Sequence, residues 1–240
     1  MDKVLFLATS AAKEIMQAQT VHANNLANAN TAGFRQDRVA FQQLLAGEAG
    51  SPTSALAGAP GLSTGLDLTA GAYEVTDRPL DVAIQGDGFF VVQSPEGARY
   101  TRGGQLRVGD GGVLVTPQGH PLMGDGGPLM VPPDGPVSIA PSGEVRSGDR
   151  LIGRLQIVTL PENASPVHTG GGLLSVEGGE GDVAPALEAR VLQGVVEGAN
   201  VEPVQAMVDM ITLLRHFEMN QKALQAQDES LGHLLSWVRA

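Results

Sequence analysis

The stretch that decides the fold runs from position 21 to position 34 and reads Val21-His22-Ala23-Asn24-Asn25-Leu26-Ala27-Asn28-Ala29-Asn30-Thr31-Ala32-Gly33-Phe34. Its four asparagines make poor helix formers, because an asparagine amide competes for backbone groups. Gly33 can adopt a positive φ where a helix stops, and Phe34 can pack apolar surface back onto the last turn. One interpretation is a polar helix end followed by a turn. The other is a motif whose amides contact another part of the protein.

The residues before this stretch predict a helix from position 3 to about position 30. Seven residues, five of them apolar or small, recur at alternating spacings of three and four, as in a two-helix seam: Leu5, Ala8, Ala12, Ile15, Gln19, His22 and Leu26. Small side chains bury little area, so this helix needs a partner. A short helix-like run at 39–45, ended by Gly47, extends the predicted helical core segment over residues 1–46.

The middle of the chain predicts a linker and then a β domain. Residues 47–78 are rich in Gly, Ala, Ser, Thr and Pro, which is typical of an extended linker. From Pro79 the hydrophobic period becomes two, and short segments bounded by Gly, Pro or Asp continue to position 199. This pattern predicts an irregular antiparallel barrel or sandwich. The predicted strands are 80–84, 89–92, 100–101, 106–108, 113–115, 129–131, 137–139, 144–146, 155–160 and 189–196, with a weak hairpin around the glycines at 170–172.

Residues 200–240 predict a second long helix. Asn200 is a candidate N-cap, and Pro203 suits a first helical turn. Seam positions then alternate by four and three: Ala206, Met210, Leu213, Phe217, Asn220, Leu224, Gln227, Leu231, Leu234 and Val238. The predicted fold class is therefore α+β, with long N- and C-terminal helices pairing as a coiled coil around a central irregular antiparallel all-β domain. The polar residues Asn220 and Gln227 either fix the register of this pair or bind amides elsewhere.

Composition excludes several classes of function. The formal net charge is −11, and no Lys or Arg cluster is present, which disfavours nucleic-acid binding. There is no cysteine and no apolar run long enough to span a membrane. Lys3 and the apolar residues after it loosely imitate a secretory signal, but the helical pattern continues past any cleavage point. We expect these residues to be retained.

No catalytic, cofactor or metal site is predicted. Three Gly-Asp-Gly sequences, at 86–88, 109–111 and 124–126, lack the pattern of a calcium loop and predict hairpin turns. The five histidines show no metal-ligand spacing, and neither a nucleophile elbow nor a phosphate loop occurs. An enzyme or ligand-binding module would need a pocket lined by two or more of Asp81, Asp87, His120 and His168. A calcium-dependent surface protein is a further alternative.

Three groups of motifs resemble the flagellar basal-body rod and hook family. Residues 23–35, Ala-Asn-Asn-Leu-Ala-Asn-Ala-Asn-Thr-Ala-Gly-Phe-Arg, are similar to its N-terminal signature. Residues 194–201 (Gly-Val-Val-Glu-Gly-Ala-Asn-Val), 207–211 and 215–218 are similar to its C-terminal signature. Residues 78–84, 86–90 and 100–104 resemble the family's β domain. Together they span nearly the whole chain, which makes the resemblance more specific than any single motif.

The resemblance implies a structural subunit that assembles helically into the drive shaft carrying torque from the motor to the hook. It implies paired terminal helices in an inner layer, a β domain in an outer layer, and export through the flagellar type III apparatus without a cleaved signal. The implied partners are other rod proteins and further copies of this chain in the periplasmic rod. Chain length and the short linker are most similar to a proximal rod subunit, with a distal rod or hook subunit as the nearest alternative.

We expect the assembly contacts to come from residues of both terminal signatures: Asn24, Asn25, Leu26, Asn28, Asn30, Gly33, Phe34, Asn200, Val201, Met210, Ile211, Phe217 and Glu218. We expect unsatisfied amides of the asparagine cluster to reach neighbouring subunits. Such a network resists slippage between subunits, because misregistered amides stay buried and unpaired. We therefore expect Asn25→Ala or Gly33→Val to block assembly while leaving the isolated β domain folded.

Overall fold

The computed structural model describes residues 2–43, 60–132, 135–161, 164–176 and 183–238. This part of the chain is mostly β with a long helix at each end, α1 (Asp2–Ala27) and α2 (Pro203–Val238), so the predicted α+β class is confirmed. The strands are β1 (Asp37–Gln43), β2 (Pro60–Leu66), β3 (Tyr73–Val75), β4 (Val82–Gln85), β5 (Phe89–Ser94), β6 (Gly97–Thr101), β7 (Arg107–Val108), β8 (Leu114–Val115), β9 (Met123–Gly124), β10 (Gly127–Pro128), β11 (Val137–Ile139), β12 (Glu144–Ser147), β13 (Arg150–Arg154), β14 (Ile157–Thr159), β15 (Pro166–Gly170), β16 (Leu173–Val176), β17 (Ala184–Pro185), β18 (Arg190–Gln193) and β19 (Val195–Glu197).

The chain forms two compact units. The helical unit comprises Met1–Ala27, Asp37–Gly65 and Glu202–Ala240, and the β unit comprises Asn28–Gln36 and Leu66–Val201. The segment immediately after α1 therefore belongs to the β unit, although helical-unit residues flank it on both sides. No helix in the described ranges is long and apolar enough to cross a membrane.

In the helical unit α1 packs against α2. The six predicted seam positions of α2 whose side chains are described are buried or half-buried, and they alternate with exposed neighbours: Ala206, Met210, Leu213, Phe217, Asn220 and Leu224. The later seam positions, from Gln227 onward, lie outside the described side chains. On α1, Ala18 is buried, and the predicted positions from Ala12 to Leu26 are half-buried.

The helix-like run predicted at 39–45 is wrong over the described residues 39–43. Those residues form β1, which pairs with β2 in a two-stranded sheet. Val39 and Phe41 alternate with polar or small neighbours, and β-branched and aromatic residues favour strands, so the period of two prevails over a short helical pattern. Part of the predicted linker, residues 60–66, is the partner strand, and α1 ends at Ala27 rather than near position 30.

The strands of the β unit pair antiparallel. The largest sheet has the order β15-β16-β6-β5-β14-β17, and β11-β12-β13 form a three-stranded sheet. The main hydrophobic core is built from inward-facing residues of several strands: Val82, Ile84, Phe90, Val92, Leu106, Leu114, Leu122, Leu129, Val131, Ile139, Val145, Leu155, Leu173 and Val191. A second cluster lies around Phe89, Val91, Tyr100, Val158 and Leu174.

Glycines explain where the strand predictions differ from the structure. The Gly-Asp-Gly sequences at 109–111 and 124–126 do form the tips of the β7–β8 and β9–β10 hairpins. The one at 86–88 is not a hairpin, because β4 pairs with β18 whereas β5 pairs with β6 and β14. The predicted strand at 189–196 is divided into β18 and β19 at Gly194, which has φ +75°. Residues 129–131 form no strand beyond an isolated bridge at Met130.

Candidate assembly site

Asn25 lies near the end of α1, and its side chain is buried. The Asn25 Nδ2 group donates to the Asp37 carbonyl oxygen at 2.8 Å, and the Asp37 N–H donates to Asn25 Oδ1 at 3.0 Å. The Asn25 amide thus donates one hydrogen bond to the Asp37 backbone and accepts one from it, as a peptide group in a paired strand does. These two bonds anchor the start of β1 to α1 inside the helical unit. The expectation that this amide is left for a neighbouring subunit is wrong for Asn25.

The other asparagines of the cluster lie in different surroundings. Asn28 stabilises the turn after α1, since its carbonyl accepts from Thr31 N–H at 2.9 Å and its Oδ1 accepts from Thr31 Oγ1 at 3.3 Å. Asn24 and Asn30 are exposed, and Leu26 is half-buried. Asn25 and Asn28 therefore bond within the chain, and the side chains of Asn24 and Asn30 are largely exposed.

Residues 33–36, which we call the strap, run through the β unit. Gly33 has φ +69° and donates its N–H to the Glu197 carbonyl oxygen at 2.7 Å. A Cβ at this position would lie 2.1 Å from the Gly103 nitrogen, so only glycine fits. Phe34 is buried and stacks on His168, with ring centroids 4.8 Å apart and planes 8° from parallel. The His168 Nε2 atom lies 2.8 Å from the Arg35 carbonyl oxygen.

The centre of the site is a buried cluster of three charges, Arg35, Glu197 and Arg102, with exposures of 1%, 0% and 4%. Arg35 Nη2 donates to Glu197 Oε1 at 2.5 Å, and Arg102 Nη1 donates to Glu197 Oε2 at 3.2 Å. The Gly71 N–H also donates to Glu197 Oε1, at 3.0 Å. Charges buried this deeply are tolerated only when they are paired and hydrogen-bonded.

Arg102 is held from several sides. Its guanidinium donates to the carbonyl oxygens of Ile84 at 3.0 Å and Gly86 at 2.7 Å, and it lies 5.3 Å from the centre of the Phe89 ring. Burial lowers the pKa of Arg102 from its ordinary value, and the Glu197 carboxylate counteracts part of that shift. Two guanidinium groups share one carboxylate, so this cluster depends strongly on Glu197.

Asn200 completes the strap contacts. Its Oδ1 accepts from Gln36 N–H at 2.7 Å, and its Nδ2 donates to the carbonyl oxygens of Asp67 at 2.9 Å and Thr69 at 3.1 Å. The side chain therefore binds the strap and the segment after β2. The predicted N-cap role is wrong because α2 begins at Pro203 and the Glu202 carbonyl accepts the first helical hydrogen bond, from Ala206 N–H at 3.0 Å. The neighbouring Val201 is buried.

The four predicted contact residues of α2 lie on two different faces. Met210 and Phe217 are half-buried on the seam, whereas Glu218 is exposed and Ile211 is 52% exposed. Ile211 belongs to a second apolar row, which we call the outer stripe: Val204, Met207, Val208, Ile211 and Leu214. Its members are 40% to 76% exposed, and contiguous apolar patches of this kind mark interaction sites.

Sequence reasoning did not predict the buried charges of Arg35, Arg102 and Glu197, and it considered His168 only as a possible pocket residue. Each of the three charged residues lies within two positions of a glycine in the quoted motifs. A glycine allows another backbone segment to approach closely, and this is the one indication of the cluster that the sequence contains. His168 and Asp81, proposed above as pocket residues, contact Phe34 and Thr76 instead. Among the residues that the structure describes, no group of three His, Cys, Asp or Glu side chains could hold a metal ion.

Comparisons with known proteins agree with the three motif groups. Residues 6–35 match the model "Flagella basal body rod protein", residues 83–147 match "Flagellar hook protein FlgE/F/G D1 domain", and residues 192–236 match "Flagellar basal body rod FlgEFG protein C-terminal". The chain is 38% identical to the flagellar basal-body rod protein FlgF of Salmonella typhimurium, over 97% of this chain and 96% of that protein. This chain belongs to the flagellar basal-body rod family.

Other relatives in the rod family have the same coverage. FlgF of Escherichia coli is 39% identical over 97% of this chain and 96% of its own, and the rod protein FlgG of Bacillus subtilis is 29% identical over 98% of both. The chain is therefore a FlgF-like structural subunit of the rod and not an enzyme.

Proposed function

We propose that this chain is a subunit of the proximal rod. In this proposal it assembles helically with copies of itself and with other rod proteins into the tube that transmits torque from motor to hook. Two FlgF relatives, at 38% and 39% identity, exceed the FlgG relatives at 29% to 32% and support the proximal position, while two further FlgF relatives are 32% identical. A distal rod or hook-type position is the alternative.

The observation that carries this proposal is the outer stripe of α2. One face of this 36-residue helix already packs on α1, yet the outer stripe repeats the same three-and-four spacing on another face. Burying such a side chain from full exposure stabilises by about 1.5–3 kcal/mol, and these five are 40% to 76% exposed, so covering them contributes roughly half of that for each before association costs. We propose that α1 and α2 pair as a coiled coil and that helices of neighbouring subunits cover this stripe.

We further propose that the asparagine cluster, Gly33 and Phe34 set the shape of the connection between α1 and the β unit. The exposed Asn24 and Asn30 are the residues of the cluster that face possible neighbours. The contacts of neighbouring subunits would be heterologous and would repeat along a helix, as a tube requires. As assembly segments we propose the helical core at 1–46, the linker at 47–78, the β domain at 79–199 and the C-terminal helix at 200–240, although residues 28–36 and 66–78 fold with the β unit.

Membership of the rod family also supports a proposal for how this chain is exported to the periplasm. We propose that the flagellar type III export apparatus carries the chain outward and that no signal peptide is cleaved. Mass spectrometry of protein recovered from purified basal bodies tests this point. An N-terminus that lacks the first apolar residues would contradict it.

The function is tested by Ile211→Asp in cells whose own copy is deleted. A carboxylate on the outer stripe should abolish swimming and prevent recovery of the protein with basal bodies, because a buried unpaired charge is costly. The matched control is Gln221→Asp, the same product residue at an exposed polar position of the same helix. Equal swimming and equal recovery of the two variants would contradict the proposal.

A further inference from the structure

The β unit carries a protruding leucine whose role the rod proposal does not explain. Leu187 lies in the turn between β17 and β18, and its side chain is 93% exposed, the largest value among the described large apolar side chains. Single exposed leucines are common and need no explanation by themselves. This one is of interest because another part of the same unit offers a matching apolar groove.

The groove lies between the tip of the β7–β8 hairpin, the segment after β10, and β13. It encloses about 760 Å³, and its lining includes Val108, Met130 and Leu151. These side chains are 47%, 59% and 55% exposed, so three of the exposed large apolar residues of the β unit meet in one depression. The Leu187 turn lines a different depression, beside β14 and β17. The protruding Leu187 side chain, which we call the knob, and the groove are therefore separate places on the β unit.

Each feature carries one exposed charge that complements the other, although Asp149 precedes Arg150 and Arg190 follows Glu188 by two positions. Arg150 precedes Leu151 in β13 and lines the groove, whereas Glu188 follows Leu187 in the turn. Both side chains are exposed, and neither takes part in an ion pair within the described ranges of the chain. With Leu187 seated in a groove, the acidic neighbour of the knob would approach the basic neighbour of Leu151.

We propose that Leu187 and Glu188 of one copy dock into this groove on a second copy, with Leu187 against Leu151 and Glu188 against Arg150. Because Leu187 and the groove are different surfaces, the contact is heterologous and can repeat from copy to copy, as a ring or as an open helix. One leucine and one ion pair are far below the area of a stable dimer. The contact therefore forms appreciably only where copies are held at high local concentration.

This inference deepens the proposed function and rests on it in one respect, since a helical tube holds copies side by side. Its test is independent of swimming. In the full-length Arg150→Lys chain, a zero-length carbodiimide reagent can couple the new amine to the Glu188 carboxylate. Mixing isotope-labelled and unlabelled chains at high concentration identifies, by mass spectrometry, peptides joined between different copies.

We expect cross-links between position 150 and Glu188 of different copies in the Arg150→Lys chain. The matched control is Arg146→Lys, an exposed arginine of neighbouring strand β12, which should give none to Glu188. Adding Leu187→Ala to Arg150→Lys should lower the yield about tenfold, the loss expected when a leucine gives up part of its burial. Leu187 is exposed, so this change leaves the fold intact.

Three results would overturn the inference: equal cross-linking to Glu188 from position 146, an unchanged yield with Leu187→Ala, or joined peptides from within one copy only. None of them bears on the Ile211→Asp experiment. Conversely, normal swimming with Ile211→Asp would contradict the rod proposal while leaving the cross-linking result standing.

Discussion

Glu197→Gln leaves the two buried guanidinium groups of Arg35 and Arg102 without the carboxylate between them. The glutamine oxygen can replace only part of the three hydrogen bonds that Glu197 accepts, and the amide nitrogen cannot accept any of them. Removing one partner of a buried ion pair costs about 3–5 kcal/mol. Domains of this size are stable by roughly 5–15 kcal/mol, so about a fifth or more of the stability of the β unit depends on this one carboxylate.

Urea unfolding monitored by tyrosine fluorescence measures this loss. In a Trp237→Phe background the emission comes from Tyr73 and Tyr100, which both lie in the β unit. With a slope of about 2 kcal/mol per molar urea, a loss of that size lowers the midpoint by about 2 M. The measurement therefore reports on the β unit of the full-length chain.

Glu96→Gln is the matched control for this measurement. The Glu96 carboxylate also bonds an arginine, Arg99, at 2.9 Å, but its side chain is 76% exposed. Exposed ion pairs contribute about 1 kcal/mol or less, so this midpoint should hardly move. If Glu197→Gln shifts the midpoint no further than Glu96→Gln does, the reasoning about the buried charge cluster is refuted.

Three further predictions concern the strap, the asparagine cluster and a tyrosine. Gly33→Ala should destabilise the β unit by about 3 kcal/mol or more in the same urea assay, because φ is positive and a Cβ would overlap backbone. Gly126→Ala, where a Cβ meets nothing within 4 Å, should not, and equal losses would contradict this account. Asn25→Ala removes two hydrogen bonds to the start of β1 and should cost about 1–3 kcal/mol, seen as faster amide exchange in β1. The exposed Asn30→Ala should leave that exchange unchanged, and similar exchange in both variants would be evidence against the anchor. Burial, and then the Glu197 carboxylate, raise the pKa of Tyr73, so the native state holds this proton more tightly and stability should fall as the pH rises from the ordinary value of 10.0 through the raised native pKa. Tyr73→Phe should weaken that fall, and absorbance at high pH should show late ionisation of one tyrosine; an unaltered pH profile would count against it.

The Gly33 prediction replaces an expectation drawn from the sequence. Gly33→Val was expected to spare the β domain, but Gly33 belongs to the β unit and touches the backbone at Arg102 and Gly103. Local sequence could not show this, because the residues that crowd Gly33 lie about seventy positions away. Gly33 in the sequence indicates only where a helix ends. The backbone that crowds it becomes visible only in the folded structure.

The hydrophobic period predicted the structure correctly where one apolar face of an element is long enough to determine its packing. The α2 seam from Ala206 to Leu224 was predictable because apolar residues recur over many turns. At β1, seven residues with Val39 and Phe41 fit both periods, and only pairing with β2 distinguishes them. The buried charges were not predictable, since Arg and Glu ordinarily remain exposed and the contact between Arg35 and Glu197 spans 162 positions.

That long span also determines when the β unit can fold. The chain passes between the two units after Ala27, Gln36, Gly65 and Val201, so neither unit is continuous. A chain that emerges N-terminus first presents Arg35 early, whereas Glu197 emerges only when most of the chain has followed. Contacts of such high sequence separation form slowly and late. A partly emerged chain therefore lacks the carboxylate that closes the cluster, and the cluster can close only after Glu197, just before α2, has emerged.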